Sequence, residues 1–300
     1  MSLALTLPPE AVSADWAQAP DWPHREASRF LHAGGLRWHV QVMGPALGEA
    51  PVVLLLHGTG ASTHSWRALM PLLAQHCTVI APDLPGQGFS VPAPSSAFSI
   101  EGMAAALAAL LAALDARPAL VIGHSAGAAL AARMCLDGSL APQRLISING
   151  ALLPLGGLAG QVFSPLARLM VKLPGMSRFF AWRAADASLV RRLLDDTGSK
   201  LDAEGVELYA RLFRRAEHVA GTLGMMAAWD LPALARDLPR LPTPLTLIIG
   251  QQDRTIRPTE ARRLQRILPQ ARILALPGLG HLAHEEAPQS VLQAIEEDMP

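Results

Sequence analysis

The sequence has no surplus of either charge: 25 Lys and Arg stand against 25 Asp and Glu in 300 residues. A nucleic-acid-binding face needs clustered Lys and Arg in excess, so that class of partner is excluded. Cysteine is scarce. Cys77 and Cys135 lie far apart, and no Cys-x-x-Cys or clustered Cys/His spacing accompanies them. That excludes a disulfide framework and a metal site, and it points to a reducing, cytoplasmic compartment. Long apolar runs are also missing. The longest, Met103 to Leu114, lies between Glu101 and Asp115 and falls well short of the roughly 20 residues a membrane span needs. The stretch Met1 to Ala19 has no basic region, and Pro8 and Pro9 interrupt it, so it does not read as a signal peptide and none is expected. No Gly-x-Gly-x-x-Gly follows the first strand and no Gly-x-x-x-x-Gly-Lys-Ser/Thr occurs, so dinucleotides and nucleoside triphosphates are not expected. His-Glu-x-x-His is absent as well. Neither a cofactor nor a metal is expected, and there is no internal repeat or low-complexity tract.

What is present centres on Leu120-Val121-Ile122-Gly123-His124-Ser125-Ala126-Gly127-Ala128. A short apolar run ends in Gly-x-Ser-x-Gly and an Ala-rich helical run follows at once. This is the strand–turn–helix setting of a nucleophile elbow, in which a strained backbone lifts a serine off the sheet. Neighbouring chain passes close on both sides, so Gly123 and Gly127 fit where a side chain would clash. The helix beginning at Ala126 turns free N–H groups and a positive dipole end towards the serine.

Around this stretch the chain alternates between strands and helices. Residues 1–27, rich in proline, read as an irregular arm. Ser28–Ala33 and Leu36–Met43 form a hairpin across Gly34-Gly35. Val52–Leu56, Thr78–Ala81, Leu120–Ile122 and Arg144–Ile148 are further strands, with helices expected around Trp66–Leu73 and over Ile100–Leu114. From Ala151 to about Leu238 no strand is expected. Helical runs there are separated by Pro154, Pro165, Pro174, Gly198 and Gly221. Strands resume at Leu245–Ile249 and Arg272–Leu276, and a last helix covers Ala287–Glu297. The expected fold is α/β: a mostly parallel sheet with helices on both faces. Residues 1–150 and 239–300 form its core, and 151–238 a helical cap inserted over the sheet top.

A serine hydroxyl needs a base, and the base an orienter. In a doubly wound sheet these come from loops at the carboxyl ends of strands. His281 follows the last strand in Gly278-Leu279-Gly280-His281, and Asp253 follows the one before it. The order Ser125, Asp253, His281 is that of the hydrolases built on the elbow. His284 remains an alternative base three residues on. Asp83 reads as a brace for Gly86-Gln87-Gly88. The oxyanion donors are the backbone N–H groups of Ala126 and Thr59; losing one typically costs roughly 3 to 4 kcal/mol of transition-state stabilisation. His57, Gly58, His124 and Trp229 make up the expected substrate-binding set, with His57 also reading as a loop brace. His24, His32, His39, His64, His76 and His218 read as structural or surface histidines.

Together the elbow, His57-Gly58-Thr59-Gly60, Asp83-Leu84-Pro85-Gly86, Asp253 and Gly280-His281 resemble the α/β-hydrolase superfamily. Gln87 stands where that family often has histidine. The cap carries a second likeness. Ser147-Ile148-Asn149-Gly150-Ala151-Leu152-Leu153-Pro154, Phe163-Ser164-Pro165-Leu166-Ala167-Arg168 and Phe180-Ala181-Trp182-Arg183 are similar to the magnesium-chelatase accessory proteins of bacteriochlorophyll synthesis. So are Thr197-Gly198-Ser199-Lys200-Leu201-Asp202 and Gly224-Met225-Met226-Ala227-Ala228-Trp229-Asp230. That resemblance implies a helper in inserting magnesium into protoporphyrin IX, with porphyrin and chelatase subunits as partners.

Two classes of function follow. One is a cytoplasmic serine hydrolase, a carboxylesterase or C–C bond hydrolase acting through an acyl-enzyme on a small apolar carbonyl substrate. The other is a non-catalytic protein whose cap binds a porphyrin or docks a chelatase subunit. The stretch Leu169 to Phe180, apolar but interrupted by Lys172 and Arg178, either packs on the core, serves such docking, or rests on a membrane surface as a peripheral contact.

Overall fold

Val52–Leu56 is apolar at every position because both its faces are covered. Val52, Leu54 and Leu56 enter one hydrophobic cluster, while Val53 and Leu55 enter another on the opposite side of the sheet. The computed structural model describes residues 14–90, 95–154, 169–171 and 173–300. Residues 1–13 of the N-terminal arm and the segment Phe163 to Arg168, with Pro165, lie outside the described residues, as does Lys172.

Eight strands form one sheet: β1 Ser28–Ala33, β2 Leu36–Met43, β3 Val52–Leu56, β4 Thr78–Pro82, β5 Pro118–His124, β6 Arg144–Ile148, β7 Leu245–Gly250 and β8 Arg272–Leu276. Their order is β1-β2-β4-β3-β5-β6-β7-β8. The β1–β2 and β2–β4 pairs are antiparallel and the rest parallel. Gly34 and Gly35 take φ of +56° and +76°, the left-handed pair that a two-residue hairpin requires.

The described helices are α1 Ala14–Ala17, α2 Met70–Leu73, α3 Ile100–Ala113, α4 Ala126–Leu136, α5 Met176–Arg183, α6 Ala187–Asp195, α7 Ala203–Phe213, α8 Ala216–Ala228, α9 Leu231–Asp237, α10 Pro258–Ile267, α11 Ala283–Glu286 and α12 Pro288–Ile295. Helices α5 to α9 fall between β6 and β7, and no strand occurs there among the described residues.

Three local expectations change. The helix around Trp66–Leu73 is instead a 3-10 turn, Thr63–Trp66, followed by α2. Pro71 has no N–H to donate, so a helix starts at it rather than running through it. Gly221 does not separate two helical runs but lies inside α8. A Cβ there would stand 1.9 Å from the carbonyl oxygen of Gly86, so the glycine lets helix and loop backbones touch. Helix α10 was not visible in the sequence because its buried side is only Ala261 and Leu264 on an otherwise charged segment.

Candidate active site

The site is assembled at the carboxyl ends of β5, β7 and β8. Past β5 the chain turns at Ser125, which takes φ 51° and ψ −116°, a left-handed φ that non-glycine residues adopt only under constraint. The constraint is visible. The N–H of Ser125 donates to the Ile148 carbonyl at 3.0 Å, and its own carbonyl accepts from Ala151 at 3.0 Å. A Cβ on Gly127 would lie 2.0 Å from the Leu56 carbonyl oxygen, and one on Gly123 2.5 Å from the Ala128 nitrogen. Gly58 closes the third side: its Cβ would meet His124 Nδ1 at 2.8 Å and the Ser125 Cβ at 3.0 Å. The Ala-rich face of α4 follows from the same crowding, with Ala128, Ala129, Ala131 and Ala132 wholly buried.

Asp253 and His281 meet across the gap between their loops. His281 Nδ1–H donates to Asp253 Oδ2 at 2.8 Å, and both side chains are buried. The other carboxylate oxygen, Oδ1, accepts from the N–H groups of Thr255 at 2.7 Å and Ile256 at 2.9 Å, which fixes its direction. With Nδ1 committed as donor, the imidazole carries its lone pair on Nε2.

The backbone of His281 is held as firmly as its ring. Its carbonyl oxygen accepts from Asn149 Nδ2 at 2.8 Å and from His124 Nε2–H at 2.9 Å. Asn149 also donates to the Gly280 carbonyl at 2.9 Å and accepts the Gly250 N–H at 2.8 Å. One buried amide thus ties the ends of β6 and β7 to the histidine loop. Asn149 has φ 46°, a value asparagine tolerates better than most side chains. In the sequence it stands just past the Arg144–Ile148 strand, inside a segment marked by a family likeness, and nothing there shows its reach to His281.

A second clasp comes from Thr197-Gly198-Ser199-Lys200. The Thr197 carbonyl accepts from the Arg254 N–H at 3.0 Å, beside Asp253. Ser199 Oγ accepts from the Leu282 N–H at 2.8 Å, beside His281. Glu286 bridges further, accepting from the N–H groups of Lys200 at 3.0 Å and Gly280 at 2.9 Å.

The remaining predicted residues fall into two groups. No hydrogen bond among the described residues engages the N–H of Ala126 or of Thr59. Thr59 is exposed, and the Gly60 N–H after it is taken by Gln87 Oε1 at 2.7 Å, so Gln87 braces this loop. Asp83 is the brace expected. It accepts from His39 Nδ1 and from the N–H groups of Thr63 and Phe89, each at 2.7 Å. Burial alone would raise its pKa, but the His39 imidazole and these donors hold it at about 2.

His57 and His124 are corrected. His57 has no exposed surface, donates from Nδ1 to the Gly58 carbonyl at 2.8 Å and accepts the Leu84 N–H on Nε2 at 2.9 Å. No ring nitrogen is left for a substrate. His124 is likewise buried, its Nε2 spent on His281, and its ring packs 4.7 Å from that of His281 and 4.5 Å from that of His284. Burial lowers both pKa values, that of His124 well below the ordinary imidazole range. His284 is buried between Trp66 and His124, and burial brings it to about 3, so it lies beneath the site. Trp229 caps the end of α8, half-buried against the core, with no partner for Nε1 among the described residues.

His218 on α8, in sequence a structural or surface histidine, has a specific place in the fold. It is buried, accepts the Gly88 N–H on Nδ1 at 3.0 Å and donates from Nε2 to the Gly60 carbonyl at 3.1 Å. It therefore pins α8 to two loops of the sheet top.

An elbow serine on a strand-to-helix turn, with a His–Asp pair from later strand ends, defines a fold class, and comparison with known proteins agrees. The chain belongs to the alpha/beta hydrolase family, whose model matches residues 53–294. It is 42% identical over 267 residues, covering 89% of this chain and 92% of the relative, to a protein of Rhodobacter capsulatus named magnesium-chelatase 30 kDa subunit. It is 32% identical over 290 residues to a dihydrolipoyllysine-residue acetyltransferase component of an acetoin cleaving system from Pseudomonas putida, covering 94% of this chain and 70% of that one. Among solved structures, an alpha/beta hydrolase fold protein from Burkholderia ambifaria superposes with a TM-score of 0.74 at 23% identity, covering 90% of this chain and 97% of that one.

Proposed function

We propose that this protein is an accessory factor in the insertion of magnesium into protoporphyrin IX during bacteriochlorophyll synthesis, and that it carries a working serine-hydrolase site. The observation that supports the first half is the 42% identity to the Rhodobacter capsulatus chelatase subunit along 92% of that protein's length. The relative from Pseudomonas putida has a different named role on the same fold, so the fold by itself supports only the class.

The chemistry follows from the side chains. Ser125 Oγ attacks a carbonyl carbon while His281 Nε2 takes the hydroxyl proton. Asp253, bonded to Nδ1, keeps that tautomer and stabilises the imidazolium. The oxyanion of the tetrahedral intermediate falls to the free N–H groups of Ala126 and Thr59. As the intermediate collapses, His281 returns the proton to the leaving group and an acyl-enzyme remains. Water, deprotonated by the same nitrogen, then releases the acid and restores Ser125. Residues 151–238 are assigned as the lid over this site, and their richness in Leu, Met, Phe and Trp favours an apolar carbonyl substrate.

The test is a reconstituted magnesium insertion reaction on protoporphyrin IX, followed by absorbance of the magnesium porphyrin, with and without this protein. The reading predicts faster insertion with wild type and a loss of that gain with Ser125→Ala. Equal stimulation by Ser125→Ala leaves a protein that works by binding porphyrin or chelatase subunits. No stimulation at all leaves a carboxylesterase or C–C bond hydrolase with a separate substrate.

A further inference from the structure

Eight large apolar side chains are exposed among the described residues, and six of them fall in one short stretch: Leu169, Val171, Leu173, Phe179, Phe180 and Trp182. Singly exposed apolar residues are ordinary, whereas a contiguous group marks a surface that meets something. Helix α5 puts its small residues inward and its large ones outward. Ala181 packs against Val219 and Leu223 of α8, and Ala184 is also buried. Trp182, by contrast, is 68% exposed and Phe179 51%. A helix seeking only to pack on its own protein has the opposite order. The three rings also stand together, Phe179 lying 5.7 Å from Phe180 and 6.0 Å from Trp182.

Within the stretch that carries these rings the charge is of one sign, and the first acid after it is Asp186, the N-cap of α6. From Leu169 to Ala185 the sequence holds Lys172, Arg178 and Arg183 and no acid. The Arg183 guanidinium lies 6.0 Å from the Trp182 ring, and Arg178 and Arg183 are both exposed. The chain as a whole is neutral, so this is a local feature. Exposed Trp and Phe flanked by Arg and Lys match the interface of an anionic bilayer, where rings enter the headgroup region and cations meet lipid phosphates. Among the described residues no helix is long and apolar enough to cross a membrane. We infer that the face carrying Leu169, Val171, Leu173, Phe179, Phe180 and Trp182, with Arg178 and Arg183 beside it, is a peripheral docking surface for an anionic lipid bilayer.

The experiment uses the whole protein with vesicles of phosphatidylcholine, alone or mixed equally with phosphatidylglycerol. Trp16, Trp22, Trp38 and Trp66 are buried and Trp229 is half-buried, so Trp182 is the indole free to respond. The expected results are co-sedimentation with the phosphatidylglycerol vesicles and a blue shift of tryptophan emission. Trp182→Phe abolishes the shift while sedimentation persists. Trp182→Ser with Phe179→Ser abolishes both, with an unchanged circular dichroism melt. Arg178→Gln and Arg183→Gln each lower partitioning by about fivefold.

Three results overturn the inference. One is no sedimentation with either vesicle. Another is equal sedimentation with both that the serine substitutions leave intact. The last is concentration-dependent self-association removed by Trp182→Ser without vesicle binding, which assigns the surface to a second copy of the chain.

Discussion

Asn149 donates a hydrogen bond to the carbonyl oxygen of His281 at 2.8 Å, although the two are 132 residues apart. The same side chain reaches Gly280 and Gly250, so the position of the histidine loop depends on one buried amide. Asn149→Ala leaves the Gly280 carbonyl and the Gly250 N–H unpaired, while the His281 carbonyl keeps only His124, and each buried unpaired group costs about 1 to 3 kcal/mol. The expected outcome is a lower urea midpoint and slower reaction of Ser125 with a fluorophosphonate, by roughly 10-fold or more given the sensitivity of catalysis to placement. Asn149→Asp retains the acceptor for Gly250 but loses both donors, and it is expected to recover little of the rate. A normal labelling rate with only a lower melting temperature would limit Asn149 to stability.

Gly221 carries a second prediction. With the Gly86 carbonyl oxygen 1.9 Å from where its Cβ would stand, Gly221→Ala forces α8 away from that loop. Overpacking of this kind costs about 1 to 3 kcal/mol. Helix propensity alone predicts the opposite sign, since alanine is favoured over glycine inside a helix by about 1 kcal/mol. Thermal unfolding decides between them, and the expectation is a fall in melting temperature.

A third prediction concerns acid. Burial, aided by the nearby Arg215 charge, lowers the His218 pKa from 6.5 to about 3. Burial, with the His281 and Arg67 charges, lowers His284 likewise to about 3. For groups depressed in the folded state, the unfolded chain takes up protons first as pH falls. Their stabilisation is therefore present above pH 6.5 and is lost as pH drops towards 3. Each histidine accounts for about 2 kcal/mol between pH 6.5 and 5. Protonation of His218 also sets an Nδ1–H against the Gly88 N–H it now accepts. Urea titrations at pH 7.5 and pH 5 are expected to show His218→Gln weaker at pH 7.5 but with a shallower fall. Parallel slopes would contradict the assignment.

Much of this architecture is legible in the residues themselves. A strand buried on both faces has to be apolar throughout, which made β3 visible, and a two-residue glycine turn set β1 against β2. Ser125, Asp253 and His281 stand out because each follows a strand at the same sheet edge. What sequence spacing does not carry is contact between distant segments. Asn149 and His124 act on a loop far along the chain. The Thr197–Lys200 segment is legible only as a family likeness, while its hold on the loops of Asp253 and His281 depends on the fold. His57 illustrates the converse: its place beside the site suggests both a substrate contact and a loop brace, and with both nitrogens spent on backbone only the brace holds.

The central claim is that Ser125 is a nucleophile activated by His281 and Asp253. Its most direct test is intact-mass analysis after incubation with a fluorophosphonate. The account predicts one adduct per chain, mapped to Ser125, absent in Ser125→Ala and slowed in Asp253→Asn by about 10⁴-fold. Labelling of wild type and Ser125→Ala to the same extent, or of neither, would contradict it.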